Sequence, residues 1–144
     1  MSHYADSSFL ASCYLTDANT PRAKAYLFGA SVSLDLTALQ SLEVQNAFRL
    51  GVFRGLFSAS DAKLARANFE LDLQRGRLVR KTVRWPLVFR IALHLSQGHS
   101  ASVGTRSLDV LHVAAARSLR AKAFVSFDDR QWNLAAAIGL RVVP

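Results

Sequence analysis

The sequence predicts an α/β fold: one three-layer α/β/α domain over residues 1–144, built on a central, mainly parallel sheet. Three observations carry that expectation. Short apolar strands alternate with helical stretches at both ends of the chain. The strands read as apolar runs, as strands covered on both faces do. The chain has 144 residues and is 51% hydrophobic, enough for one sizeable core.

The elements follow in order. "HYAD" at 3–6 reads as a short strand, and "SSFLASCYL" after it has helical spacing in Phe9, Leu10, Cys13 and Tyr14. "DANTP" is a turn, and Pro21 suits the first turn of a helix over about 21–29. "SVSLDLT" at 31–37 alternates Val32, Leu34 and Leu36 as a strand does, and Thr37 then caps a helix over 38–53. Ser58 or Ser60 caps a helix over about 61–75 that Gly76 ends. "LVRKTV" is a strand or an extended loop, Pro86 opens a helix to about 97, and "QGHSASVGT" reads as a loop. A helix over about 105–120, a strand "AFVSF" at 123–127, a helix "DDRQWNLAAAIG" stopped by Gly139 and a terminal strand "LRVV" complete the chain.

Composition excludes several classes. No apolar run reaches the roughly 18 residues of a membrane span, and the N-terminus lacks the basic region of a secretory signal. The single Cys13 rules out an internal disulfide framework. The expected setting is therefore a reducing cytoplasm, without membrane association. The net charge of +8 favours an anionic partner. Arg75, Arg77, Arg80, Lys81, Arg84, Arg90 and Arg106 fall in a stretch between Asp72 and Asp109 that holds no acid. This is either a solvated basic surface or a rim that tracks phosphates. No phosphate-binding loop of the GxxxxGK[ST] type and no GxGxxG is present. The four histidines show no metal-ligand spacing, and His112 reads as a core residue.

The ten acids are more informative. Asp17, Asp61 and Asp72 are expected in solvent, and Asp35 on the polar side of its strand. Asp6 and Asp128 end strands, where ligands of open α/β sheets bind. Glu43 lies early in a largely apolar helix. Asp109 interrupts "TRSLDVLHVAAARSL", a helix apolar on nearly every face, where an uncompensated carboxylate costs several kcal/mol. Singly, each acid is explained as a helix cap or a partner of a helix dipole. Together they suggest one shared cause. Two carboxylates 4 Å apart repel by roughly 4 kcal/mol at an effective dielectric of about 20. A hard divalent cation, Mg²⁺ or Mn²⁺, relieves that repulsion and works beside phosphate.

In this order the acids make the chain resemble a PIN domain, and within that superfamily the VapC-type toxins of toxin–antitoxin pairs. The resemblance rests on "YADSSFLASCYL", "LTALQSLEVQNAFRLGVFRG", "SLDVLHVAAA" and "FVSFDDRQWNLAAAIGLRVV", and it is weakest over about 55–100. It implies a metal-dependent endoribonuclease in which Asp6, Glu43 and Asp109 match the three core acids. Asp128 matches the fourth, in a Ser/Thr-x-Asp pattern formed by Ser126, Phe127 and Asp128. Ser126 is then a supporting residue that orients the site, and Asp129 either starts the helix or assists Asp128. The resemblance also implies an RNA substrate, Mg²⁺ (or Mn²⁺) as cofactor, a homodimer and a cognate antitoxin. The rival expectations are a non-catalytic PIN-like module that grips RNA or protein, and a DNA nuclease. Apolar surface near Trp85 and Trp132 is a candidate protein contact, although both residues also read as core.

Overall fold

The structure, a computed structural model, describes residues 2–144. In chain order it contains β1 (Ser2–Ala5), α1 (Ser7–Tyr14), α2 (Thr20–Gly29), β2 (Ser33–Leu36), α3 (Ala38–Phe53), α4 (Ala59–Gln74) and β3 (Leu78–Arg80). These are followed by α5 (Trp85–Leu95), a π-helix (Ser96–Ser100), α6 (Ala101–Val103), α7 (Ser107–Ser118), β4 (Phe124–Val125), α8 (Asp129–Ala137) and β5 (Val142–Val143). The strands form one parallel sheet in the order β3-β2-β1-β4-β5, flanked by helices. No helix among the described residues is long and apolar enough to cross a membrane.

The chain divides into two compact units, one of residues up to Asp6 with Thr82–Pro144, the other Ser7–Lys81. In the first, β1 pairs with β4 and β4 with β5, with Tyr4 opposite Phe124 and Phe124 opposite Val142. Its core joins Tyr4 and Phe124 to Val88, Ala92 and Leu95 of α5, Val110 and Val113–Ala116 of α7, and Leu134 and Ala135 of α8. The run of alanines in α7 lies buried in this core, whose apolar surround explains why the helix is buried nearly all round. His112 is buried there, and its Nδ1 shares a 2.8 Å hydrogen bond with the Tyr4 hydroxyl.

In the second unit β2 pairs with β3, Leu34 opposite Leu78. The Thr37 side chain accepts from the Gln40 N–H and the Gln40 side chain accepts from the Thr37 N–H, a capping box that starts α3. Ser58 and Asp61 do the same for α4, which selects Ser58 over Ser60. The rings of Phe48, Phe69 and Tyr14 meet edge to face, with centroids 5.6–6.4 Å apart, and form an aromatic core.

Three expectations need correction. The stretch read as a loop at "QGHSASVGT" continues helically from α5 through the π-helix and α6, until Gly104 at φ 76° ends it. Its polar, glycine-containing composition reads as a loop, but the buried face of α5 anchors the backbone and a wider helical turn carries it on. Asp35 is fully buried, not on a wet face, with Lys81 Nζ 3.9 Å from Oδ1. A parallel sheet covered on both faces offers an alternating strand no wet side. Asp72 is buried as well: it accepts from the Tyr14 hydroxyl at 2.9 Å and pairs with Arg77 at 2.9 Å.

The Tyr14 and Cys13 side chains make this second unit sensitive to alkali. Burial, and then the Asp72 carboxylate, push the Cys13 thiol up to about 12 from 9.0. The same two causes, burial first, push the Tyr14 phenol up. Both groups are held protonated by the fold, so their contribution is complete below the unfolded pKa and is lost as pH rises through the folded one. The urea midpoint is expected to fall from about pH 9 upward. A midpoint that stays level from about pH 8 to pH 11 would contradict it.

Candidate functional site

Three of the acids singled out in the sequence lie in the first unit and are joined there by hydrogen bonds. Asp6 follows β1, and its own N–H donates to the Val125 carbonyl at 3.0 Å. That bond fixes it beside the end of β4. Its side chain, 1% exposed, accepts from the Ser126 hydroxyl at 2.6 Å. Ser126 is pinned in turn, since its N–H donates to the Val143 carbonyl at 3.0 Å. The Ser126 oxygen also accepts from the Asp128 N–H at 2.9 Å, so one hydroxyl ties both carboxylate-bearing residues together.

Asp128 caps α8: its Oδ1 accepts from the N–H groups of Arg130 at 2.9 Å and Gln131 at 3.2 Å. Asp129 opens the helix and is exposed, outside these bonds. Ser126 thus bridges Asp6 and Asp128 by hydrogen bonds, and of the two neighbouring aspartates it is Asp128 that these bonds reach. The side chain of Gln131 reaches on to α7, donating from Nε2 to Asp109 Oδ1 at 3.0 Å.

Asp109 is 4% exposed. Its other oxygen, Oδ2, accepts from the Arg106 N–H at 2.9 Å, with Arg106 Nε 3.8 Å away. It therefore stands in the first turn of α7, where the helix dipole favours an anion, and meets two N–H donors. Those bonds answer the energetic objection to a carboxylate in an apolar helix. Glu43 belongs to the second unit; it is half-buried in α3 and accepts from the Ser7 hydroxyl at 2.9 Å.

Two features were missed in the sequence. Gln131 connects Asp128 to Asp109, and the signal was available: in "DDRQ" a glutamine stands three residues after a capping aspartate. Arg130 lies with Nε 3.8 Å from Asp128 Oδ1, so Arg106, exposed, and Arg130, partly exposed, place guanidinium groups beside two of the acids. Trp132, the next residue of α8, is 37% exposed, while Trp85 packs partly buried against the core of its unit. An open cavity of about 500 Å³ along α5 and α7 is lined by Phe89, Leu93, Leu108 and Leu111 with a few hydroxyl residues. It contains no acid and is separate from the carboxylate network.

Among the described residues no group of three or more His, Cys, Asp or Glu side chains is arranged as a ready-made metal cage. The donor chemistry still suits a hard cation, because the acids present oxygen atoms at strand and helix ends. Mg²⁺ keeps several waters and needs only one or two carboxylates from the protein.

No protein-family model matches the chain, and no curated protein matches it. Among solved structures, the crystal structure of FitAcB from Neisseria gonorrhoeae matches 100% of this chain and 97% of that one, with a TM-score of 0.66 at 16% identity. The two chains share a fold. At that identity the likeness bears on fold alone, and it agrees with the architecture that the sequence motifs imply.

Proposed function

We propose that this PIN-like chain is a Mg²⁺- or Mn²⁺-dependent endoribonuclease and the toxin of a toxin–antitoxin pair. The observation that carries the reading is the hydrogen-bonded set Asp6–Ser126–Asp128–Gln131–Asp109 at the ends of β1 and β4. That is where open α/β sheets bind their ligands. Asp6, Asp109 and Asp128 would hold the cation, directly or through water; Glu43 joins them on the strength of the resemblance. When bound, such an ion offsets charge on phosphoryl oxygens and supplies a water nucleophile at neutral pH. The protein's own part is to hold the acids still. Ser126 orients Asp6, the N-terminus of α8 holds Asp128, and Arg106 with Gln131 holds Asp109. Arg106 and Arg130, beside two of these acids, would meet the phosphate backbone, a role that a net charge of +8 supports. A homodimer and a cognate antitoxin belong to the same reading and come from the resemblance; the cytoplasmic setting comes from the single cysteine.

A second reading, a PIN-like module that binds RNA or protein without cutting, is favoured by one observation. The acids are already engaged by N–H and O–H donors, and no three of the described ones form a cage. Chelation separates the two readings. With EDTA the enzyme is expected to stop cutting labelled single-stranded RNA while still binding it, and added Mn²⁺ restores cutting. Binding with no cleavage under either condition would establish the module; cleavage undiminished by EDTA would remove the metal. Competition with single-stranded DNA tests the choice of RNA.

A further inference from the structure

Gln131 is 7% exposed, and its two amide ends are treated differently. The nitrogen donates to Asp109 at 3.0 Å, whereas Oε1 is buried and has no hydrogen-bond partner. Turning the amide over would not cure this, because it would set an oxygen against the Asp109 carboxylate. The orientation is therefore fixed by Asp109, and the buried acceptor is left facing a need for a donor. The amide group is planar and small, so Oε1 lies within about 5 Å of the Asp109 oxygen. A water held by an ion bound at Asp109 would come within reach of it. The backbone of Gln131 is held as well, through its N–H to Asp128, so the side chain starts from a fixed point between two of the acids.

We infer that Gln131 is a positioning residue of the cation site: its N–H fixes Asp109, and its Oε1 accepts a hydrogen bond from a water of a divalent cation. This rests on the metal-dependent reading of the site. It explains together the direction of the amide, its burial and its unmet oxygen. Partners of metal ligands typically control affinity by about 10–100-fold.

The test uses the whole chain, Mn²⁺ as probe, and two substitutions, Gln131→Met and Gln131→Glu. Free Mn²⁺ is followed by electron paramagnetic resonance, and Tm is measured with and without the ion. Gln131→Met keeps the volume and removes both polar atoms, so it is expected to fold and to bind Mn²⁺ about 10-fold more weakly or worse. Gln131→Glu sets a second carboxylate beside Asp109. It is expected to lower Tm without metal and to gain more from Mn²⁺ than the wild type does. Wild-type affinity in Gln131→Met, or a Mn²⁺ shift in Gln131→Glu no larger than the wild type's, overturns the inference. If Gln131→Glu does not fold, Gln131→Met decides alone. A wild-type chain that binds no Mn²⁺ overturns both this inference and the proposed function. A wild type that binds, an Asp109→Asn variant that does not, and an unchanged Gln131→Met overturn this inference alone.

Discussion

Asp6→Asn is expected to abolish RNA cleavage, by more than about 100-fold, the upper end of what losing a mere partner of a metal ligand costs. The fold is expected to survive. Asparagine has the same shape, and its carbonyl oxygen still accepts from Ser126, as Asp6 does at 2.6 Å. What is lost is the charge, which the structure holds almost wholly out of solvent at the end of β1. Asp109→Asn is expected to behave in the same way for a different reason. Its two oxygens accept from Arg106 and from Gln131, and an asparagine there presents one acceptor and one donor. Gln131 can turn its amide, so that the presently unmet Oε1 accepts from the new NH₂. Cleavage of labelled RNA with Mg²⁺ or Mn²⁺, beside a urea midpoint, checks both variants. Wild-type cutting by either one would refute the site assignment.

Phe69→Ala is expected to lower stability by about 3–5 kcal/mol, as large aromatic truncations in cores do. Phe69 is fully buried in α4, with ring centroids 5.6 Å from Tyr14 and 6.3 Å from Phe48. Removing it leaves a cavity that Tyr14 cannot fill without breaking another contact. Tyr14 is tied by its hydroxyl to Asp72, and Asp72 by its other oxygen to Arg77. Urea unfolding measures the loss. A fall below about 1 kcal/mol would mean that this aromatic cluster relaxes freely and is not the core of its unit. The two variants separate two kinds of residue: Asp6 is expected to matter to chemistry with little effect on stability, Phe69 the reverse.

Much of the local structure was legible in the sequence because its causes are local. Helix α3 begins where Thr37 and Gln40 can exchange hydrogen bonds and ends with its apolar run, and α4 begins at Ser58 for the same reason. Pro86 sits in the first turn of α5, where a missing N–H does no harm. The four acids stood out because carboxylates are rare among apolar neighbours, and three of them do fall into one network. Asp109 was conspicuous in "TRSLDVLHVAAARSL" on burial alone.

Other features depended on partners distant in sequence. Asp35 and Asp72 look solvated when read with their own neighbours, yet both are buried: Lys81 Nζ stands 3.9 Å from Asp35, and at Asp72 Tyr14 and Arg77 supply the hydrogen bonds that water would. The loop expected at 97–105 is helical because the packed face of α5 holds the backbone in that course. The bond from Ser126 to Asp6 joins residues 120 apart in sequence, and that from Gln131 to Asp109 joins residues 22 apart. The sequence by itself determined the α/β class, the caps and the identity of the acids, since these follow from periodicity and near-neighbour chemistry. Only the tertiary structure decided which acids share donors and which amide stands between them, because hydrogen bonds across elements depend on which strand and helix ends the sheet brings together.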